Sequence, residues 1–270
     1  MKKILILGVT GLVGKALSQK LKDNYEVFGT YNRNETRLDQ VNLIKFEVKN
    51  PTQINSILDE ITPNIIINCL RGDFENQLQI MNELIEFSQK TQAHIYFMST
   101  ANVFDACTDH IHYEIDERIS NTDYGQFKIK AEDLLLDIIK DACVICRLPM
   151  VWGLNSPRLN DLKADLGNNK PIVVHTNLYL NTHTDELLAN QINYIIDQNL
   201  TGIFHLGSQD EINHYDFMKE MTRQLGYADV HFIKNQLEGE RYVFTLGTTN
   251  PLPKELLFSN KEIIYQLTNR

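Results

Sequence analysis

The feature that most constrains this chain is a succession of short, uninterrupted aliphatic runs. They are Ile4–Leu7, Val27–Phe28, Leu43–Phe46, Ile65–Ile67, Ile95–Met98 and Val144–Leu148, with longer segments of helical periodicity between them. An apolar run without polar alternation reads as a strand buried on both faces, which is the condition inside a parallel sheet covered by helices. The helices are expected at about 12–22, 51–61, 76–91 and 123–140, with start signals such as Pro51-Thr52 and Thr122-Asp123. A parallel neighbour is reached only through a crossover connection, so the alternation of strand and helix over the first 150 residues predicts a doubly wound α/β fold.

After Leu148-Pro149 the alternation loosens, and Gly153, Pro157, Gly167 and Pro171 punctuate a polar stretch before a strand-like Ile172-Val173-Val174. A helix at about Thr184–Asp197, a strand at Ile203–Leu206, a helix at about Tyr215–Leu225, a Pro251/Pro253 turn and a short terminal helix are expected beyond it. The chain therefore divides into a dinucleotide-binding domain of the Rossmann type over 1–150, rejoined by a segment at about 181–207. A smaller C-terminal substrate-binding subdomain takes 151–180 and 208–270, placed over the carboxyl edge of the sheet where open α/β sheets bind their ligands.

Charge and composition exclude several classes of partner. Lys and Arg number 26 against 35 Asp and Glu, a net charge of −9, so there is no basic field for a nucleic acid backbone. Four cysteines are too few for a secreted disulfide scaffold and suit a reducing cytoplasm. The apolar run that follows Lys2-Lys3 ends at Gly8, short of the roughly 7–15 residues of a secretory core, and no stretch approaches the roughly 18 needed to span a bilayer. The expectation is a cytoplasmic protein acting on a small molecule, without nucleic acid or membrane partners.

The first strand runs directly into Gly8-Val9-Thr10-Gly11-Leu12-Val13-Gly14, followed by a helix. A strand, a tight glycine turn and a helix amino terminus present backbone N–H groups and a positive dipole end to a pyrophosphate, and missing Cβ atoms permit close approach. The spacing is GxxGxxG, and its position after the first strand points to dinucleotide binding. The end of the second strand selects the cofactor, because a carboxylate there accepts from the ribose 2′-hydroxyl whereas an arginine accommodates a 2′-phosphate. Here Tyr31-Asn32-Arg33 offers no carboxylate before Glu35, which favours NADP(H), with NAD(H) as the second candidate.

In the helix opening near Asp123, Phe127, Ala131, Leu134, Leu135 and Ile138 form the face expected to meet the sheet. Tyr124 and Lys128 lie four residues apart on or beside that face, while Lys130, Glu132, Asp133 and Asp137 are expected mostly on the other. A lysine turned inward needs a reason, and a neighbouring phenol supplies one, since the cation would lower the tyrosine pKa and make Tyr124 a proton donor for a carbonyl oxygen receiving hydride. The segment ending the fifth strand, Met98-Ser99-Thr100-Ala101-Asn102, places hydroxyls of Ser99 and Thr100 at the crevice, either of which could orient that carbonyl.

Through GVTGLVG at Gly8–Gly14, STANVF at Ser99–Phe104 and YGQFK at Tyr124–Lys128, the sequence resembles the extended short-chain dehydrogenase/reductase superfamily. Within it, STANVFDA at Ser99–Ala106, Arg147-Leu148-Pro149, Asn181–Leu187 and Gly202–Leu206 resemble the dTDP-4-dehydrorhamnose reductase group. The resemblance implies Thr100 as the carbonyl-binding hydroxyl, Tyr124 as the acid, and Lys128 as the residue that holds the nicotinamide ribose and tunes the tyrosine. It also implies a cofactor wall at Cys69, Leu70, Arg71 and Leu148, a nucleotide-sugar substrate and a homodimer. Met150 stands where those reductases usually carry tryptophan, and the segment after the fourth strand is short. The regulatory beta subunit of methionine adenosyltransferase is similar to this group too. An epimerase or dehydratase and a non-catalytic NADP-binding regulatory subunit therefore stay open beside the reductase.

Other signals read as structure. Cys143 and Cys146 in a strand run point to opposite faces, and His183 and His205 read as satisfied core histidines. Asp185-Glu186 supplies acid to a helix amino terminus. Asp109-His110-Ile111-His112 offers two same-face ligands without an evident third, so no metal is expected.

Overall fold

The computed structural model describes residues 1–33 and 37–269, so Glu35 lies outside the described residues. The chain runs β1 (Lys3–Leu7), α1 (Leu12–Leu21), β2 (Glu26–Tyr31), β3 (Val41–Lys45), α2 (Gln53–Ile61), β4 (Ile65–Asn68), α3 (Phe74–Thr91), β5 (His94–Thr100), α4 (Asp123–Ile139) and β6 (Cys143–Leu148). It continues through β7 (Met150–Trp152), α5 (Pro157–Gly167), β8 (Ile172–His175), β9 (Leu178–Leu180), β10 (Thr182–Thr184), α6 (Asp185–Asp197) and β11 (Gly202–His205). The last elements are β12 (Ile212–Asn213), α7 (His214–Gln224), β13 (Phe232–Asn235), β14 (Tyr242–Phe244) and α8 (Asn260–Thr268).

Among the described residues the central sheet has seven strands in the order β11-β6-β5-β4-β1-β2-β3, all parallel. The expected strands and helices of the first 150 residues are all present, with ends shifted by a few residues at most. The chain winds outward from β1 through β2 and β3, then returns to β4 on the other side of β1. This reversal opens a crevice at the carboxyl ends of β1 and β4, the usual ligand position in such sheets.

The uninterrupted aliphatic runs are explained by two cores, one on each face. Leu5, Leu7, Ile66, Ile95, Phe97 and Ile145 pack against Ile54, Leu58, Leu84, Ala131 and Leu135 of α2, α3 and α4. Their chain neighbours Ile4, Ile6, Ile65, Ile67, Tyr96 and Val144 pack against Leu17, Leu21, Leu188 and Ile192 of α1 and α6. Cys143 belongs to the first core and Cys146 to the second, both as free thiols on opposite faces. A third core unites Trp152, Leu159, Leu162, Phe217, Met221, Ile263 and Ile264 from α5, α7, α8 and the end of β7.

Helix α5 occupies the stretch that the sequence presents as punctuated and polar. Pro157 starts this helix instead of breaking it, because Ser156 caps it by accepting from the Leu159 amide at 3.2 Å and the first turn has no use for the missing N–H. The short strands β7, β9, β10, β12 and β14 have too few residues for any periodicity to show.

One expectation is corrected outright. Glu132 does not face solvent on α4 but is fully buried. Its carboxylate accepts from Arg147 Nη2 at 2.8 Å and Nε at 3.2 Å, from Arg118 Nη1 at 3.1 Å and from the Ser99 hydroxyl. Parallel register sets Ser99, Arg147 and His205 side by side on β5, β6 and β11, so α4 docks on a polar row cut into an otherwise apolar sheet. Glu132→Ala leaves the buried Arg147 guanidinium without its counter-ion. Urea denaturation should show a loss of about 3–5 kcal/mol. A loss under about 1 kcal/mol, the scale of an exposed pair, would mean that the ion pair does not hold α4.

Candidate active site

The glycine loop is shaped by close backbone contact. Gly8 has φ of +78° and donates its amide to Thr30 Oγ1 at 2.9 Å, while the Gly11 amide donates to the Gly8 carbonyl at 3.1 Å. A Cβ on Gly14 would fall 2.5 Å from the Gly8 oxygen and 2.9 Å from Val9 Cα, so α1 can press on the loop only without one. Helix α1 has Gly11 at its N-cap, no side-chain cap and no acidic residue in its first turn, which leaves its leading N–H groups for a ligand. At the end of β4, Asn68 Oδ1 accepts from the Leu70 amide at 3.1 Å and fixes the turn that carries Cys69, Leu70 and Arg71.

Thr100 ends β5 and caps the short 3-10 turn Ala101–Phe104, donating to Asn102 Oδ1 at 2.9 Å. Helix α4 begins against that turn, with Thr122 Oγ1 accepting from the Gly125 amide at 3.2 Å. Any Cβ on Gly125 would collide with Ser120 Oγ and the Asn102 carbonyl, so this glycine is what lets Tyr124 approach Thr100. The sequence reading passed over it, although a glycine in the first turn of an otherwise regular helix is a visible signal. Ser99 and Thr100 both line the crevice, the Ser99 hydroxyl committed to Glu132 and the Thr100 hydroxyl bonded within its own turn to Asn102.

Gly11, Leu12, Val13, Gly14, Cys69, Leu70, Arg71, Thr100, Tyr124, Lys128 and Leu148 line a single cavity of about 640 Å³. Sequence reasoning missed Asn102 and Phe74, and beyond residue 150 also Arg158, Asn181 and Phe244. These last three come from separate irregular segments, and no local pattern joins them. Gly8 and Thr10 belong to the same loop but do not line this cavity. Tyr31, Asn32 and Arg33 lie in an adjoining cavity, again about 640 Å³, with Lys45, Lys49 and Arg71. Parallel pairing of Tyr31 with Lys45 puts the end of β3 beside the end of β2, a neighbour that sequence distance conceals.

The electrostatics depart from the sequence expectation. Lys128 is buried, and its ammonium donates to the Met98 carbonyl at 2.7 Å and lies 4.3 Å from the Phe97 ring centre. Burial lowers its pKa to about 8, the Arg71 charge adds to the lowering, and Cys69 and Glu132 oppose it. The Tyr124 phenol is not lowered by this cation. Lys128 Nζ stays 5.8 Å from the ring centre, and burial raises the phenol above its ordinary value while Thr100 and Arg71 pull it down.

The core histidines are satisfied. His183 Nε2 donates to Gln191 at 2.7 Å, and its Nδ1 accepts from the Thr184 amide. His205 Nδ1 meets the Gly247 carbonyl at 2.7 Å while its Nε2 accepts from Arg147. Burial pushes both down to about 4, so both are neutral.

Comparison with known proteins adds a family. The NAD dependent epimerase/dehydratase family matches residues 4–161. The chain is 22% identical over 241 residues to the probable low-salt glycan biosynthesis reductase Agl14 of Haloferax volcanii, covering 82% of this chain and 79% of that one. It is also 22% identical over 254 residues to methionine adenosyltransferase 2 subunit beta of Xenopus laevis, covering 85% and 74%. The structure of dTDP-4-dehydrorhamnose reductase from Bacillus anthracis in complex with NADP aligns with a TM-score of 0.77 at 18% identity, over 99% of this chain and 98% of that one. At such identity it establishes a shared fold. Among the described residues no helix is long and apolar enough to cross a membrane.

Lys128 offers a test that needs no substrate. Its pKa is about 8 folded against 10.5 for the ordinary group, so between those values the unfolded chain holds a proton that the folded chain has lost. Stability should then rise with pH across that window, the burial penalty being complete below it. Lys128→Met removes the penalty. Its gain in Tm over wild type should be largest near neutrality and shrink as pH climbs from about 8 to about 10. A gain independent of pH would show that Lys128 is not held in its low-pKa state.

Proposed function

The chain belongs to the NAD dependent epimerase/dehydratase family, and from that premise we propose that it is a reductase transferring hydride from NADP(H) to a keto group of a nucleotide-linked sugar. Membership makes it an NAD(P)-dependent oxidoreductase of the extended short-chain type. One observation carries the finer reading. The glycine loop at α1, Thr100 at the end of β5, and Tyr124 with Lys128 on α4 all line the same cavity.

The residues suit a bound dinucleotide, since Gly14 lets α1 pack close on the glycine loop and the uncapped α1 terminus offers its leading N–H groups to a pyrophosphate. When bound, the cofactor supplies the hydride. The remaining work belongs to side chains. Lys128 spends one of its three N–H donors on Met98 and keeps two for ribose hydroxyls. Thr100 orients the substrate carbonyl, and Tyr124 donates the proton its oxygen needs. A phenol above its ordinary pKa is protonated at neutral pH, as an acid must be.

For the 2′-phosphate of NADP(H) the adjoining cavity offers Arg33, Lys49 and Arg71, beside Asp73 and a Lys45–Glu47 pair at 3.4 Å, and the Bacillus anthracis reductase was solved with that cofactor. Residues 151–180 and 208–270 act as the substrate subdomain. From it Arg158, its guanidinium 5.4 Å from the Trp152 ring centre, provides a cation for a nucleotide diphosphate.

Tyr124→Phe should lower turnover by about 10²–10⁴-fold while leaving NADPH binding, followed by nicotinamide fluorescence, unchanged. Undiminished turnover would refute the acid role. Binding of NADPH without turnover of any keto sugar by wild type would favour the regulatory reading, and a co-purifying cofactor that is never consumed would favour an epimerase or dehydratase. Arg33→Ala should raise KM for NADPH by about tenfold or more, the value of a charge-assisted hydrogen bond, and leave KM for NADH in place. An unchanged ratio of the two constants would overturn the NADP preference.

A further inference from the structure

The connection between Phe104 and α4 delivers Tyr124 to the cavity and is closed at its base by Asp105. That carboxylate accepts from the Asn121 amide at 2.8 Å and from Thr122 Oγ1 at 2.6 Å. Inside the loop, His112 is 4% exposed and stacks on Phe104 with ring centres 4.3 Å apart and planes at 2°. Its Nε2 lies 2.7 Å from the Cys107 carbonyl. A carbonyl can only accept, so Nε2 carries a hydrogen and Nδ1 is the ring atom left to face a ligand. That Nδ1 is buried and has no hydrogen-bond partner. A buried polar atom without a partner costs about 1–3 kcal/mol and calls for an explanation.

The fold brings two further donors to it. Asp116 Oδ2 stands 3.6 Å from His112 Nδ1 and is itself oriented by the Tyr113 amide at 2.8 Å. His110 holds its Nδ1 at 2.7 Å from Asp109 Oδ1, which leaves its Nε2 free. His110, His112 and Asp116 each offer one ligand atom, all within 4.8 Å of one another. Ligand atoms at 2.0–2.1 Å from a tetrahedral zinc are about 3.4 Å apart, so the His112–Asp116 pair is already spaced for one. Both imidazoles also carry the outer partner typical of metal-bound histidine, a carbonyl for His112 and a carboxylate for His110, each fixing the tautomer.

We propose that His110, His112 and Asp116 form a binding site for one zinc-class divalent ion that staples this loop. Two imidazoles and one carboxylate favour a first-row transition ion over magnesium or calcium, which prefer oxygen ligands. None of the three residues lines the cavity that holds Thr100 and Tyr124, so the ion acts on the loop and not on the reacting carbonyl. The loop is joined to the C-terminal third as well, through the His112 amide to the Thr245 carbonyl at 3.2 Å and the Gly247 amide to the His112 carbonyl at 2.8 Å. Binding would therefore stiffen the junction between that segment and the start of α4. The two histidines are legible in sequence; the third ligand appears only when the chain turns at Tyr113 and returns Asp116 to them.

The test is a zinc titration of metal-free protein in competition with a chromophoric chelator. Wild type should take up one equivalent, with His110→Ala and Asp116→Asn each weakening it by well over tenfold. Asp109→Ala, which removes only the outer partner of His110, should weaken it by about tenfold. His110 and Asp109 are exposed, so their variants should fold, and an unchanged NADPH titration on each confirms it. Cobalt in place of zinc should give the d–d absorption of a low-coordinate site in wild type and lose it in His110→Ala. If wild type binds zinc no more tightly than the His110→Ala/Asp116→Asn double variant, the site does not exist.

Discussion

The structure depends most on a charge that it buries. Glu132, fully enclosed, meets Arg147 across two edges of its carboxylate and Arg118 from the loop before α4. Arg147 spends its remaining donors on the Glu114 carbonyl and His205. Buried pairs of this kind bring little net stability over an apolar replacement, but they tolerate no misalignment, since a shifted partner leaves an uncompensated ion. Their effect here is positional. An apolar helix face could slide along the sheet by a turn at modest cost, whereas α4 is held where Glu132 faces Arg147.

That constraint reaches the chemistry by helical arithmetic. Tyr124, Lys128 and Glu132 follow one another at four-residue spacing on one side of α4. With Glu132 fixed, Lys128 enters the sheet beside Met98, and Tyr124, one turn earlier, emerges at the crevice next to Thr100. Gly125 removes the last obstacle by letting the first turn of α4 touch Asn102. The residues that line the cavity are thus placed by residues that do not line it.

Much of this was readable in the chain. Continuous aliphatic runs meant strands buried twice, and the two cores on opposite faces are the direct cause of that pattern. The glycine loop, Thr100, Tyr124 and Lys128 were legible because each sits at the end of a regular element, where local sequence and position in the sheet are tightly linked. Glu132 misled because its charge suggests solvent, and only the Arg147 of a strand fifteen positions later explains its burial. Lys45, Arg158 and Phe244 were hidden for a related reason: strand pairing and irregular loops bring them to the site, and neither leaves a periodic trace.

The state of Lys128 shows how site and fold oppose each other. Among apolar rings with one carbonyl for company, the ammonium is kept near its own titration point. Folding tolerates this because the glutamate one turn further on opposes the burial penalty, and because the ammonium lies over the Phe97 and Phe127 rings, 4.3 and 5.3 Å from their centres. A ligand bearing hydroxyl oxygens within reach of the two unspent N–H groups would restore part of the lost solvation and raise the lysine pKa again. With the cavity filled, the cation would then stay fully charged to higher pH. In that state its field would favour loss of the Tyr124 proton at the moment a carbonyl oxygen is there to receive it. The elevated phenol pKa of the open cavity is consistent with this order of events, because the acid stays protonated until its base arrives.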